Sequence, residues 1–269
     1  MSFYKELGRA LVKLKISKYF RIRKKNFSLR FYPTAQSLVL WVDALQKKNH
    51  YQSDETFFEM YLRPEDTVID VGANVGLYTL LAASVVGPKG HVYSIEPHPT
   101  IFSYLTENIK LNHFTNIQPF NVAIGEKNGN TCFTDKKHDD INAVSDSETG
   151  IHVKLCTLDD IIQTGDTVNL LKIDVEGYEK FVLTGAPRIL SQTDCIFIES
   201  YESNFARFNC STQEIIAILK QHNFFIFSYE GQTLREISED YVSQSCENFI
   251  AVKDINKFLE RTGMQIVSH

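Results

Sequence analysis

A carboxylate followed by two glycines marks the first stretch of this sequence that could hold a ligand. The stretch Asp70-Val71-Gly72-Ala73-Asn74-Val75-Gly76 overlaps the end of a short apolar run, Thr67–Val71. Glycine lets the chain turn sharply after a strand and lets the backbone approach a bound molecule closely. Glu96 ends the next apolar run, twenty residues after Gly76, where a carboxylate can accept hydrogen bonds from both hydroxyls of a ribose. The spacing predicts a nucleotide-type site between these two strand ends.

The glycine turn also distinguishes between two classes of nucleotide cofactor. Turns that bind a dinucleotide carry three glycines, G-x-G-x-x-G, which admit a pyrophosphate at the helix terminus. Here only Gly72 and Gly76 are present, and Asp70 places a negative charge where a diphosphate would be repelled. S-adenosylmethionine suits the site better, because it offers a ribose to Glu96, an amino group to a carboxylate or carbonyl, and a carboxylate to the helix-end amides. A nicotinamide-dependent oxidoreductase remains the alternative enzyme class.

The residues expected to bind the cofactor lie in or beside these strand ends and the strands that follow. They are Asp70, Gly72, Ala73, Asn74, Gly76, Tyr78, Glu96, Pro97, His98, Ala123 and Asp174. Tyr78 is expected to position the methionine portion, with core packing as the alternative. His98 is expected near the adenosine end, in a packing or hydrogen-bonding role rather than in proton transfer.

A second acidic group could carry out the chemistry. Asp174 and Glu176 are two residues apart at one predicted strand end, and Glu199 ends the next strand, so the three can converge. Transfer of a methyl group to a hydroxyl needs in-line positioning and loss of the hydroxyl proton, which makes these three the catalytic candidates. In one hypothesis Asp174, with Glu199 or Glu176, binds Mg²⁺ that acidifies the hydroxyl. In a second, Asp174 or a histidine is a general base without a metal; in a third, Lys172 neutralises the group and the carboxylates cap the next helix.

Alternating strand and helix patterns position these residues. The predicted strands are Thr67–Val71, His91–Ile95, Ile117–Ile124, Val168–Asp174, Cys195–Glu199, Phe224–Tyr229 and Asn248–Val252. The predicted helices are Tyr78–Val86, Thr100–Leu111, Leu158–Gln163, Tyr178–Thr184 and Thr212–His222. This order predicts an open, doubly wound, mostly parallel α/β sheet with helices on both faces, in which ligands bind at the carboxyl ends of the strands. The interruption Thr131–Cys156 is expected to be an extra hairpin or loop that walls the substrate.

Residues 1–50 are interpreted as an amino-terminal extension of a domain that spans residues 51–269. Apolar residues recur at three- and four-residue spacing, with basic residues on the other face, as in a basic amphipathic helix: Phe3, Leu7, Ala10, Leu11, Leu14 and Lys5, Arg9, Lys13, Lys15. Such a helix packs on the main domain or docks, through residues 1–25, on an anionic membrane surface or a partner. The alternating apolar residues of Asn26–Val42 predict a hairpin, and Ser53 or Asp54 is expected to cap a short helix that Pro64 closes.

Composition and charge limit the function classes. The 269 residues are 43% hydrophobic and 23% charged, which fits one globular α/β domain and excludes disordered, collagenous and disulfide-scaffold chains. Residues 1–30 hold ten basic side chains and Glu6, a net charge of +9, whereas the other 239 residues hold 18 basic and 32 acidic groups, a net charge of −14. That acidic remainder argues against a nucleic-acid partner. Five scattered cysteines and the lack of an 18-residue apolar run predict a cytoplasmic protein, with peripheral membrane association as an addition.

Several motifs together resemble the FkbM family of S-adenosylmethionine-dependent methyltransferases, over about 190 residues from Glu65 to Val252. Besides the glycine turn they are Glu96-Pro97-His98-Pro99, Asn121-Val122-Ala123-Ile124-Gly125, Thr157-Leu158-Asp159-Asp160 and Lys172-Ile173-Asp174-Val175-Glu176-Gly177-Tyr178-Glu179. The resemblance implies a class I, Rossmann-like methyltransferase fold and O-methylation of a hydroxyl on a saccharide, glycolipid or related natural product. The partner would then be a small-molecule or glycan acceptor. A module that binds the cofactor without catalysis is the alternative outside the enzymes.

Overall fold

The computed structural model describes residues 3–133, 144–145, 150–165 and 167–267. Its helices are α1 (Phe3–Lys13), α2 (Ala35–Gln46), α3 (Gln52–Tyr61), α4 (Leu77–Val86), α5 (Pro99–Leu111), α6 (Leu158–Ile161), α7 (Glu179–Thr184), α8 (Pro187–Gln192), α9 (Glu202–Ala206), α10 (Thr212–Gln221) and α11 (Ile255–Thr262), with a 3₁₀ turn at Ser17–Tyr19. Its strands are β1 (Arg21–Arg23), β2 (Ser28–Arg30), β3 (Thr67–Val71), β4 (His91–Ile95), β5 (Ile117–Phe120), β6 (Ala123–Ile124), β7 (Gly129–Phe133), β8 (Val144–Ser145), β9 (Ile151–Cys156), β10 (Val168–Ile173), β11 (Thr193–Ser200), β12 (Phe225–Glu230), β13 (Thr233–Glu236), β14 (Glu247–Val252) and β15 (Gln265–Ile266).

A mostly parallel sheet forms the centre of the molecule, in the order β15-β13-β12-β14-β11-β10-β3-β4-β5. The five strands from β5 to β11 are parallel, and β14 lies antiparallel between β11 and β12. The chain adds β4 and β5 on one side of β3 and then crosses to β10 on the other side. The point between β3 and β10 is therefore the topological switch point, where open α/β sheets bind their ligands.

Helices cover both faces of the sheet, as predicted, and each face has its own hydrophobic cluster. Helices α2–α5 and α11 contribute to one cluster, and helices α6–α10 contribute to the other. The class I, Rossmann-like fold is thus confirmed by strand order, strand direction and double winding. Among the described residues, no helix combines the length and the apolar composition that crossing a bilayer requires.

The predicted hairpin over Asn26–Val42 is wrong. β2 pairs antiparallel with β1, which lies before it in the chain, and α2 begins at Ala35. Thr34 is the N-cap of α2, because its side chain accepts a hydrogen bond from the Ser37 amide at 3.1 Å. The capping threonine outweighs the alternation of apolar residues that suggested a strand.

The amino-terminal extension shares its core with the rest of the chain. Leu29, Phe31 and Trp41 belong to the same hydrophobic cluster as Val68 and Leu80 of the central layers. Residues 21–46 therefore pack as part of the α/β structure, and α2 supplies one wall of the cleft described below.

The interruption after β5 forms a second, smaller sheet. The predicted third strand, Ile117–Ile124, is divided, because β5 ends at Phe120 and β6 joins the sheet β6-β9-β7-β8. The described parts of Thr131–Cys156 thus form strands, while residues 134–143 and 146–149 lie outside the described residues.

Candidate functional site

A cleft at the carboxyl ends of the parallel strands brings both acidic groups together. Counting its open mouth, it encloses about 1080 Å³. The predicted cofactor residues that line it are Gly72, Asn74, Glu96, Pro97, His98, Ala123 and Asp174, and the catalytic candidates Glu176 and Glu199 line it as well. Among the described residues, the lining does not include Asp70, Ala73, Gly76 or Tyr78.

Gly72 lets the turn after β3 touch the loop after β10. Its φ is +82°, and a Cβ at this position would lie 1.8 Å from the carbonyl oxygen of Asp174. The amides of Gly72 and Ala73 both donate to the carbonyl of Ile95, at 3.0 and 2.9 Å. Only glycine fits this contact, which holds the ends of three adjacent strands together.

Gly76 has a different role from the one expected of it. It is the N-cap of α4 with φ +96°, and a Cβ there would lie 2.7 Å from Leu105 Cδ1 of α5. The second glycine of the motif thus allows α4 and α5 to pack closely, and it lies behind the cleft wall.

The carboxylate of Glu96 is held rigidly at the cleft wall. Oε2 accepts a hydrogen bond from the Asn74 amide at 3.0 Å, and Oε1 accepts one from the His98 amide at 2.8 Å. His98 Nδ1 in turn accepts from the Thr100 amide at 3.2 Å and so caps α5. The cleft therefore presents Glu96 in one orientation, and His98 has a hydrogen-bonding role, as predicted.

Asp70 is an internal charge partner rather than a wall residue. Its side chain is fully buried, with Oδ2 accepting from Thr79 Oγ1 at 2.6 Å and Oδ1 lying 3.1 Å from Lys172 Nζ. The same ammonium donates to the Gly72 carbonyl at 3.1 Å and lies 3.4 Å from Asp174 Oδ2. Burial would lower the pKa of Lys172, but the charges of Asp70 and Asp174 outweigh burial and raise that pKa above its usual value. Lys172 is therefore a fixed cation between the carboxylates of Asp70 and Asp174.

Tyr78 packs in the core and anchors a partly buried carboxylate, that of Asp54. Its hydroxyl donates to Asp54 Oδ2 at 2.8 Å, the Tyr229 hydroxyl donates to Asp54 Oδ1, and Asn248 Nδ2 lies 3.3 Å from Oδ2. The predicted cap at Ser53 or Asp54 is wrong, because α3 begins at Gln52 and Asp54 turns inward to these partners. Burial raises the pKa of Asp54, and the two tyrosine hydrogen bonds oppose this rise.

Three carboxylates converge at the rim, as the spacing predicted. Asp174, Glu176 and Glu199 each offer an oxygen, and these oxygens lie within 4.8 Å of one another. Burial, followed by the charges of Asp174, Glu176 and Glu179, raises the pKa of Glu199 to about 9. Glu199 Oε1 also accepts from Cys246 Sγ at 3.0 Å. At neutral pH Glu199 therefore holds a proton, which reduces repulsion within the cluster.

We call residues 174–177, which follow β10 and carry two of these carboxylates, the carboxylate loop, and its backbone is strained. Glu176 has φ +58° and Gly177 has φ +103°, and a Cβ on Gly177 would lie 2.4 Å from the Asn204 carbonyl oxygen. Inside the loop, Glu179 Oε1 accepts from the amides of Val175 and Gly177, at 3.0 and 3.2 Å. Burial raises the pKa of Glu179 to about 7. Asn204 of α9 donates to Glu176 Oε2 at 3.1 Å, so helix α9 fixes the orientation of the loop.

Sequence reasoning missed one wall of the cleft. Ala35, Gln36 and Val39 of α2 line it, as do Tyr51 before α3 and Tyr178 after the carboxylate loop. The predicted hairpin assigned Ala35, Gln36 and Val39 to extended chain and so gave no sign of a helix at the cleft. The Pro33-Thr34 pair before an apolar stretch was nevertheless a helix-start signal. Tyr178 lay within a quoted motif, but nothing in the motif indicated its direction.

Known methyltransferases are similar to this chain in sequence. The family model described as "Methyltransferase FkbM domain" matches residues 70–226, more than half of the chain. The hexuronic acid methyltransferase AglP of Haloferax volcanii is 29% identical, over 50% of this chain and 56% of that protein. Methyltransferase 1 of Beauveria bassiana is 28% identical, over 45% of this chain and 59% of that protein. The chain thus spans little more than half the length of these relatives.

A solved structure of methyltransferase FkbM from Methylobacillus flagellatus is also similar, at 15% identity and a TM-score of 0.47, covering 93% of this chain and 62% of that one. The match to the family model includes the glycine turn, Glu96 and the carboxylate loop. The chain belongs to the FkbM family of S-adenosylmethionine-dependent methyltransferases, the family that its motifs resemble.

Proposed function

We propose that this protein transfers the methyl group of S-adenosylmethionine to a hydroxyl of a saccharide or a related natural product. The observation that carries the proposal is the convergence of Asp174, Glu176 and Glu199 in the same cleft as the fixed carboxylate of Glu96. One end of the cleft suits a ribose, and the other suits a cationic sulfonium and a hydroxyl that must lose a proton.

The cofactor lies across the switch point in this proposal. Glu96 accepts hydrogen bonds from the ribose hydroxyls, because two backbone amides already fix its oxygens at the wall. Pro97 and His98 flank the adenosine, and the methionine portion extends over Gly72 toward Asp174. A sulfonium cation there meets three carboxyl groups, which attract it.

Asp174 is the general base of the proposed reaction. Its carboxylate lies beside the Lys172 ammonium, which stabilises negative charge, whereas Glu199 holds a proton at neutral pH. The acceptor hydroxyl attacks the methyl carbon in line with the carbon–sulfur bond, that bond breaks, and the hydroxyl proton passes to Asp174. The products are the methyl ether, S-adenosylhomocysteine and a proton that Asp174 releases to solvent.

The acceptor is proposed to be a hydroxyl-rich ring. The relative from Haloferax volcanii is named for a hexuronic acid, a sugar acid with several hydroxyls. The cleft has the matching mixture of groups, because the aromatic side chains of Tyr51, Tyr178 and Phe133 line it together with the carboxylates. Apolar walls with a few convergent polar groups are typical of small-molecule sites.

A methylation assay with Asp174→Asn tests the proposal. Purified enzyme is incubated with isotope-labelled cofactor and a panel of hexose and hexuronic acid glycosides, and methylated product is identified by mass spectrometry. Loss of a general base should lower kcat about 10²- to 10⁴-fold, with cofactor affinity in calorimetry unchanged within a few-fold. Asp240→Asn, an exposed carboxylate on the loop before β14, should retain full activity.

Three results of this experiment would contradict the proposal. Full turnover by Asp174→Asn would remove the base assignment. Cofactor binding without product from any acceptor would favour a binding module, and calorimetric binding of a nicotinamide dinucleotide in place of S-adenosylmethionine would favour an oxidoreductase.

Mg²⁺ is the alternative source of hydroxyl activation. The donor set fits it, since carboxylate oxygens are the ligands that Mg²⁺ prefers, and Asp174 and Glu199, with Glu176, would hold it. A bound Mg²⁺ would acidify the hydroxyl. The metal-free proposal expects equal activity in chelator and in added Mg²⁺, because Lys172 and the proton on Glu199 already reduce the repulsion. Loss of activity in chelator, with recovery on Mg²⁺ addition, would favour the metal.

A further inference from the structure

The exposed apolar side chains of the described chain are concentrated at its amino terminus. Ten large hydrophobic side chains are exposed, and seven of them lie within residues 3–20: Phe3, Tyr4, Leu7, Leu14, Ile16, Tyr19 and Phe20. We call these seven residues the amino-terminal apolar patch. Clusters of this kind are uncommon on monomeric surfaces and mark interaction sites.

Helix α1 is anchored to the protein mainly through Gly8 and Val12, with Leu11 at the edge of its apolar stripe. Gly8 is buried against α2, where a Cβ would lie 2.7 Å from Leu38 Cδ1 and 3.1 Å from Trp41 Cδ1. Leu11 and Val12, one turn further along, also pack on the core. A glycine at the contact allows the two helices to approach closely, so the position of α1 is well defined.

The apolar stripe that the sequence pattern predicted points mainly to solvent. Phe3, Leu7 and Leu14 recur on one side of the helix, and their exposed fractions are 70%, 39% and 66%. Of the five apolar residues in the predicted stripe, Leu11 packs on the core and Ala10 is exposed with the others. Helix α1 therefore packs on the domain and still presents an apolar surface, so docking on a membrane or a partner stays a prediction.

A basic face adjoins this apolar stripe. Lys5, Arg9 and Lys13 are exposed on α1, and Lys15 and Lys18 follow directly in the same exposed segment. Residues 1–30 have a net charge of +9 against −14 for the remainder. Apolar residues beside a lysine- and arginine-rich face are typical of helices that lie in the plane of an anionic membrane.

We propose that the amino-terminal apolar patch and the basic face dock the protein on an anionic lipid bilayer, with α1 parallel to the surface. The aliphatic side chains of Leu7, Leu14 and Ile16 gain free energy in hydrocarbon but gain nothing from a phosphate backbone. The acidic remainder of the protein would repel a polyanion such as RNA that extends beyond the patch. These two facts favour a membrane over a nucleic acid.

Docking in this orientation places the bilayer close to the cleft. α1 packs on α2 through Leu38 and Trp41, and α2 lines the cleft through Ala35, Gln36 and Val39. A single helix therefore separates the docked surface from the cleft wall.

Vesicle co-sedimentation of the full chain tests the proposal. Wild type should sediment with vesicles that contain phosphatidylglycerol and remain in solution with pure phosphatidylcholine. The triple variant Phe3→Ser, Leu7→Ser, Leu14→Ser should lose at least tenfold in vesicle affinity. The variant Lys5→Gln, Arg9→Gln, Lys13→Gln should lose about fivefold per charge removed, or roughly a hundredfold.

Matched controls separate docking from general changes of surface. Phe225→Ser with Ile266→Ser removes exposed apolar side chains from another surface, and Lys89→Gln with Lys127→Gln and Lys154→Gln removes three exposed lysines elsewhere. Both controls should sediment like wild type, and all variants should keep the wild-type melting temperature and cofactor affinity. Point variants are preferable to deletion of α1, because deletion would expose Trp41.

Two outcomes would overturn the proposal. One is equal sedimentation of wild type and the apolar triple variant. The other is binding that depends on the lysines alone and is abolished by competing RNA, which would assign the basic face to a nucleic acid. Neither outcome affects the proposed methyl transfer, which is measured separately with soluble acceptors.

Discussion

The two ends of the cleft differ in how completely the protein satisfies its own charges. One end, where the proposal places the ribose, is called the cofactor end, and the end at the three carboxylates is called the transfer end. At the cofactor end, Glu96 accepts hydrogen bonds from two backbone amides, and Asp70 pairs with Lys172 and Thr79. At the transfer end, oxygens of Asp174, Glu176 and Glu199 lie within 4.8 Å of one another, and Lys172 Nζ lies 3.4 Å from Asp174 Oδ2.

In the proposed function, this difference means that the fold orients the polar groups of the cofactor end before a ligand binds, whereas a bound cation would complete the transfer end. Preorganised polar groups bind without reorganising, because the fold has already oriented them. Crowded carboxylates instead keep a proton, as Glu199 does, until a positive charge displaces it. A sulfonium cofactor supplies such a charge.

The largest expected effect is at the cofactor end, from Gly72→Ala. The new Cβ would lie 1.8 Å from the Asp174 carbonyl oxygen at a φ of +82°, so backbone must move. The free energy of unfolding should fall by at least about 3 kcal/mol, and cofactor binding should be lost. Urea denaturation and calorimetry measure the two effects.

Gly263→Ala is the matched control for this substitution. Gly263 also has positive φ, +68°, in the left-handed helical region, but a Cβ there meets nothing within 4 Å. It should cost only about 1 kcal/mol and leave cofactor binding intact. Equal losses of unfolding free energy and of cofactor affinity in the two variants would contradict the prediction. They would show that the close contact between the turn and the carboxylate loop determines neither stability nor cofactor binding.

The second effect concerns the transfer end and the pKa of Glu199. Folded Glu199 keeps its proton to about pH 9, whereas an unfolded glutamate loses it near 4.5, so the folded state binds more protons between these values. The free energy of unfolding should therefore fall as pH rises from about 5 to 9. Glu199→Gln should remove this contribution, so its free energy of unfolding should rise relative to that of wild type by up to about 1.4 kcal/mol for each pH unit between these values.

Stability curves of the two proteins across this pH range measure the effect. Glu65→Gln, which removes an exposed carboxylate, should leave the wild-type slope unchanged. Parallel curves for wild type and Glu199→Gln would mean that Glu199 titrates normally, and the contrast between the two ends would disappear.

The sequence predicted the central sheet and both acidic groups because these features depend on local patterns. Buried parallel strands are short apolar runs, and parallel order brings their carboxyl ends to one edge, so Glu96, Asp174 and Glu199 could be assigned to a common site. Register then aligns β3 with β10, which places Gly72 against Asp174.

The failures arose where distant contacts decide the structure. Asp54 is in the first turn of a helix, which favours an acidic residue, but its carboxylate is bound by Tyr78, Asn248 and Tyr229, residues far along the chain. Asp70 was expected at the ligand because no local signal shows that Lys172 reaches it from the neighbouring strand. The predicted hairpin failed because alternation over a few residues fits a helix equally well when a threonine cap precedes it.

The smallest effect is a change in cofactor discrimination with pH. S-adenosylmethionine carries a sulfonium charge that S-adenosylhomocysteine lacks, and both have the same amino and carboxyl groups. Ionisation of Glu199 near pH 9 adds a negative charge at the transfer end, so the affinity ratio of the two ligands should shift toward S-adenosylmethionine by roughly fivefold between pH 7 and 9.5. Paired calorimetric titrations measure this ratio, and in Glu199→Gln it should stay constant. A wild-type ratio that does not change with pH would mean that the sulfonium lies away from the carboxylate cluster, and the assignment of Asp174 as the base would then lose its geometric support.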